Sequence, residues 1–179
     1  MKHRIGQAHT AFTQLSRTVL CNRHIAVKTR FRLFHALVGT KLFFGLGAWP
    51  TPSPRQIEKL NAVVTKCLRK ILGLTHHQDS SHTTNAQVFA IAQCLDARAR
   101  IAQDRLLFAQ KVFQHGPAFL HHMLHREFSD VPNSWLHGVF ADLEWLHKLD
   151  AKAVPDIWTR DLTTLIDHWQ QGGPGWKAL

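Results

Sequence analysis

At 179 residues and 45% apolar content the chain has enough hydrophobic material for one ordinary domain or two small ones, which excludes an unfolded polyelectrolyte. Its 22 Lys and Arg against 12 Asp and Glu are unevenly spread: residues 1–75 hold 13 cations and the single acid Glu58, net +12, whereas residues 76–179 hold 9 against 11, net −2. Three cysteines, Cys21, Cys67 and Cys94, show no paired spacing, which excludes a disulfide scaffold or a cysteine-pair zinc site and points to reduced thiols in a nuclear or cytoplasmic protein.

The opening "MKHRIGQAHTAFTQL" lacks the continuous apolar stretch of a signal peptide. Ile5, Ala8, Phe12, Leu15 and Val19 recur at three and four residues, which predicts a narrow-faced amphipathic helix over about 3–20. After "CNRH" a second helix starts near 25, with Phe31, Phe34, Leu37 and Val38 on a wide apolar arc and Lys28, Arg32 and His35 on the other side. From Leu42 to Trp49 polar positions vanish, so this stretch is expected to be buried; the longer segment "ALVGTKLFFGLGAW" is too short, and interrupted by Lys41, to span a bilayer. "WPTPSP" then breaks the chain.

The next helix is the best-marked element. In "SPRQIEKLNAVVTKCLRKILG", at roughly 100° per residue, Ile57, Leu60, Val64, Cys67, Leu68 and Ile71 fall on one side and Arg55, Lys59, Lys66 and Lys70 on the other. Ser53 with Gln56 forms a capping box, Pro54 suits the first helical position, and Gly73 suits a left-handed C-cap. The polar run "THHQDSSHTTN" follows and marks residues 76–85 as the linker between a basic region, 1–75, and a neutral to slightly acidic one, 86–179. Beyond it helices are expected at about 86–95, 97–115, 118–127 and 134–149, with Trp135 and Trp145 in a core, and a last one from an Asp156 cap to Gln171. No segment alternates at period two. The fold class is therefore all-α, an amphipathic bundle of about six to eight helices without a sheet.

A half-chain this one-sidedly basic gathers polyanions and gains from counterion release, so nucleic acid is the first partner to consider and an anionic membrane surface the second; with no membrane segment in the pattern, nucleic acid is expected and membrane is not. Lys28, Arg32, Arg55, Lys59, Lys66, Arg69 and Lys70 are the expected contacts to phosphate. Catalytic chemistry is missing from the pattern. In "HHMLH", His121 and His125 have the i,i+4 spacing of metal ligands but no adjacent glutamate and no further ligand, so neither a metal nor another cofactor is expected. Phe140-Ala141-Asp142 is three quarters of a polymerase signature, yet Leu143 replaces the second aspartate that two-metal transfer needs.

The ordered set "RIGQAHTAFTQL", "KTRFRLFHALV", "KLFFGLGAW" and "IEKLNAVVTKCLRKILG" resembles the region following the palm in reverse transcriptases of non-LTR (LINE-type) retrotransposons. The shared positions are Ile5, Ala8, Ala11, Phe12 and Leu15; Lys28, Phe31, Leu33 and Phe34; Leu42, Phe44, Gly45 and Trp49; and Cys67, Leu68, Arg69, Ile71, Leu72 and Gly73. Phe44 stands where that family often has tyrosine and Gly47 where it often has glutamate. The resemblance implies a helical thumb over residues 1–75 that holds an RNA or DNA primer-template by its backbone. It further implies a partner in the missing fingers and palm, and a fragment or decayed frame that does not polymerise alone. A helical protein–protein interaction module, with the C-terminal half as docking surface, is the alternative expectation.

Overall fold

A computed structural model describes residues 1–74, 83–152, 154, 156–159 and 161–170, and among these the regular structure is helical throughout, with no strand. The α-helices are α1 (Lys2–Leu15), α2 (Val27–Phe34), the single turn α3 (Thr40–Leu42), α4 (Pro54–Leu72), α5 (Asn85–Ala92), α6 (Ala97–His115), α7 (Ala118–Asp130), α8 (Trp135–Leu149) and α9 (Leu162–Gln170). The all-α expectation holds, and apart from α3 each helix has eight residues or more. Most of the expected linker, residues 76–82, and the terminal "GGPGWKAL" lie outside the described residues.

Backbone contacts divide the chain into two compact units, Met1–Phe44 with Ser53–Arg98, and Gly45–Pro52 with Ala99–Leu179. The division thus falls inside α6 and not at the polar run, and α5 belongs with the basic helices instead of with residues 86–179. Packing is the reason: Arg69 on α4 donates to the Thr83 carbonyl at 2.6 Å, and Asn61 on α4 accepts from the Ala97 N–H at 2.7 Å. The first unit carries 14 Lys and Arg against 3 acids, net +11, and the second 8 against 9, net −1.

In the first unit α1 runs on through a π-helical turn, Ser16–Leu20, where the Cys21 N–H reaches five residues back to the Ser16 carbonyl. The extra residue in that turn rotates the apolar seam, so Leu20 is fully buried and the expected Val19 only half-buried. A second π turn, His35–Gly39, follows α2, and Leu37, expected on its apolar arc, is exposed. Phe12 and Phe34 meet edge to face at 6.4 Å, and Leu60, Val64, Cys67, Leu68 and Ile71 of α4 complete the core. Ile57, one turn from the start of α4, is only half-buried. The capping box is present, with the Ser53 N–H donating to Gln56 Oε1 at 2.8 Å, and Gly73 takes the left-handed conformation at φ 79°. A second box, Thr84 with Gln87, starts α5 and is an addition to the expected helix signals.

The second unit is built around Leu106, Ala109 and Phe113 of α6, Leu136, Val139, Phe140 and Leu143 of α8, and Leu165 and Trp169 of α9. Trp135 and Trp145 are half-buried, and the Trp135 indole N–H donates to the Gly47 carbonyl at 2.8 Å. A Cβ at Gly47 would stand 2.5 Å from Phe108 Cβ and 2.6 Å from the Asp104 carbonyl oxygen, so the glutamate of the resembling family does not fit here. The final helix starts later than expected. Asp156 opens only a 3₁₀ turn, Asp156–Thr159, while Asp161 accepts from the Thr163 and Thr164 N–H groups and from the Thr164 hydroxyl, which makes Asp161 the cap of α9.

Candidate nucleic-acid interface

The basic face starts from the periodicity of α4. With Leu60, Val64, Leu68 and Ile71 committed to the core, Arg55, Lys59, Lys66 and Lys70 are held outward within an arc of about 60°. All four are exposed, and the fifteen steps from Arg55 to Lys70 rise about 22 Å along the helix axis. Glu58 is the lone acid on α4, so the arc has little internal charge compensation.

Near the C-terminal end of this arc a groove of about 500 Å³ is lined by Ala62, Thr65, Lys66, Arg69, Lys70, Leu74 and Asn85. Two of its cations have local partners. Lys70 Nζ lies 5.9 Å from the centre of the Phe12 ring. Arg69 is half-buried and bonded to the Thr83 carbonyl and, at 3.2 Å, to Asn85 Oδ1, so it serves as a clamp between α4 and the start of α5. Arg30, a cation outside the set expected from the sequence, has a parallel duty: its Nη1 donates to the Ile71 carbonyl at 2.6 Å, satisfying an end group of α4. Both arginines complement the negative end of the α4 dipole.

Lys28 and Arg32 are exposed one turn apart on α2. The structure thus brings Lys66, Arg69 and Lys70 to one groove, extends the row to Lys59 and Arg55 along α4, and leaves Lys28 and Arg32 on a separate helix. Beneath the basic face, burial pushes the Cys67 thiol up to about 11, against the pull of Lys70 and Lys66, so this cysteine is a core group and not a nucleophile. Cys21 and Cys94 are also free thiols.

His121 and His125 sit in different settings. His121 Nε2 donates to the Val112 carbonyl at 3.0 Å with its ring against Phe113, a helix-end contact, while His125 is exposed. Among the described residues no three His, Cys, Asp or Glu side chains gather as a metal site. Asp142, the residue of the broken polymerase signature, is fully buried and paired with the equally buried Arg105 at 2.8 Å; Arg105 also donates to the Gly138 carbonyl at 3.1 Å. It ties α8 to α6. No helix among the described residues is long and apolar enough to cross a membrane.

Two features are not evident from the sequence pattern. The Arg105–Asp142 pair is legible there only as polar residues interrupting apolar helix faces. Phe44, expected inside, is exposed, and beside it His3, Arg4 and Lys41 come together from α1 and α3. Comparison with family models, curated proteins and solved structures found no match to this chain.

Proposed function

We propose that the first unit binds nucleic acid without sequence preference, by phosphate contacts along the outer face of α4, and that the chain is a catalytically silent relative of the retrotransposon reverse-transcriptase thumb. The observation that carries the reading is the row Arg55, Lys59, Lys66 and Lys70, exposed along one face of a helix whose opposite face is core. A backbone following that row meets Arg55 and Lys59 one turn apart and, two turns further on, Lys66 and Lys70 one turn apart, and each phosphate neutralised releases condensed counterion. Lysine suits this role, as a point charge on a flexible stem that reads no base edge.

The test is the dependence of duplex affinity on salt for the wild type and for a Lys59→Gln/Lys66→Gln/Lys70→Gln variant. Arg69 is left intact because it holds α5. Removing three contacts should flatten the slope of log affinity against log salt by roughly 2 to 3, with helicity unchanged because glutamine is a comparable helix former. An unchanged slope would defeat the proposal. The interaction-module alternative draws on Phe119 and Met123, exposed one turn apart on α7; it predicts protein binding that is indifferent to these three lysines.

A further inference from the structure

Phe44 is the most exposed large apolar side chain among the described residues, at 74% of its full accessible area. Its setting is unlike that of an apolar docking patch. The depression beside it, about 340 Å³, is lined by His3, Arg4 and Gln7 from α1 and by Thr40 and Lys41 from α3. The Arg4 guanidinium carbon lies over the ring, 5.7 Å from its centre, and Arg4 Nη1 also donates to the Phe44 carbonyl. One side chain therefore holds both the backbone and the ring of Phe44 in place. His3 and Lys41 are exposed at the rim.

We propose that Phe44, with His3, Arg4 and Lys41, is a stacking platform for one unpaired base of a single-stranded nucleic acid. Proteins that hold single strands pair an aromatic surface for a base with cations for the neighbouring phosphates, and this cluster supplies both within one turn of each of two helices. A base inside a duplex already spends both faces on its neighbours and has none to offer. A protein partner would ask for apolar side chains around the ring, and the rim instead carries His3, Arg4, Gln7, Thr40 and Lys41. The held position of Phe44 lowers the ordering cost of stacking. The inference rests on the nucleic-acid reading of the same unit and narrows it: strands with free bases gain a contact that duplexes lack.

The experiment uses the full chain, a labelled oligothymidylate and a blunt duplex of equal length, and the variants Phe44→Ala, Phe44→Leu and Phe44→Trp. Alanine and leucine should weaken oligothymidylate binding by about 5- to 100-fold, tryptophan should retain it, and the salt slope should stay the same because no charge changes. Duplex affinity should be equal for all four proteins. Leucine keeps the apolar bulk and loses the ring, which separates stacking from simple burial, and thermal melts of the exposed-site variants should match the wild type. Unchanged oligothymidylate binding by both Phe44→Ala and Phe44→Leu would overturn the platform while leaving the α4 reading intact. Phe44-dependent binding to phosphatidylserine vesicles, with oligonucleotide binding unaffected, would overturn it in favour of a membrane surface. If the wild type bound neither oligonucleotide in a salt-dependent way, the reading of the basic unit itself would fall.

Discussion

Arg105 and Asp142 form a charged pair with both side chains at 0% exposure, and what such a pair does for stability differs from what its geometry suggests. Desolvating the two charges costs about as much as their attraction returns, whereas removing one partner strands the other in the core. Arg105→Met alone should therefore lower the unfolding free energy by about 3 to 5 kcal/mol, while the double variant Arg105→Met/Asp142→Leu should recover most of it. Urea unfolding of the single and double variants checks this. A double variant as unstable as the single would shift the weight to the hydrogen bond that Arg105 makes with the Gly138 carbonyl. Gly138 itself has no room for a side chain: an added Cβ would lie 2.8 Å from Arg105 Nη1 and closer still to Thr51 Oγ1.

At the level of one helix, α9 couples its own start and end to pH. The carboxyl of Asp161 is held below its ordinary value by the Thr164 hydroxyl and the Thr163 N–H, so its capping contribution is present above about pH 3.8 and is lost as pH falls through the lowered value. His168, near the other end and 4.1 Å from the Trp158 ring centre, is lowered by burial. A neutral histidine favours the fold, so this contribution is present above about pH 6.5 and is lost as pH falls below it. Acid should therefore weaken the helix in two steps, His168 first. His168→Phe should flatten the first limb of a stability–pH curve, and Asp161→Asn, which keeps a capping oxygen, should flatten only the second. A single limb unaffected by either substitution would show that these two groups do not set the acid response.

Across the whole molecule the charge is divided, net +11 on one unit and −1 on the other, and the six tryptophans all belong to the sequence of the second unit. A ligand that binds the folded basic unit stabilises it by mass action. A saturating oligonucleotide at low salt should raise the midpoint of the thermal transition seen by helicity, and the gain should vanish at molar salt, where counterion release no longer favours binding. Tryptophan fluorescence, followed in the same melts, reports the second unit. A midpoint indifferent to oligonucleotide at low salt would contradict binding by the folded basic unit.

Local pattern carries the helices because the forces behind it are local. The three-four spacing of Leu60, Val64, Leu68 and Ile71, the Ser53 and Gln56 box and the left-handed Gly73 each act within a turn or two, so α4 is legible to the residue. The same periodicity puts Arg55, Lys59, Lys66 and Lys70 outside, and this part of the candidate interface follows from residue spacing alone. The fate of the remaining groups depends on partners far along the chain. Arg30 and Arg69 look like any other cations of the basic half, yet each goes to a carbonyl 41 or 14 residues away, and the pairing of Arg105 with Asp142 spans 37. The π turns rotate the seams by one residue, and Phe44 comes to rest outside the core with Arg4 over its ring. Hydrophobic spacing says which face of a helix is buried; it does not say which other helix buries it. Only packing in three dimensions distinguishes a cation that clamps the fold from one free to meet a phosphate.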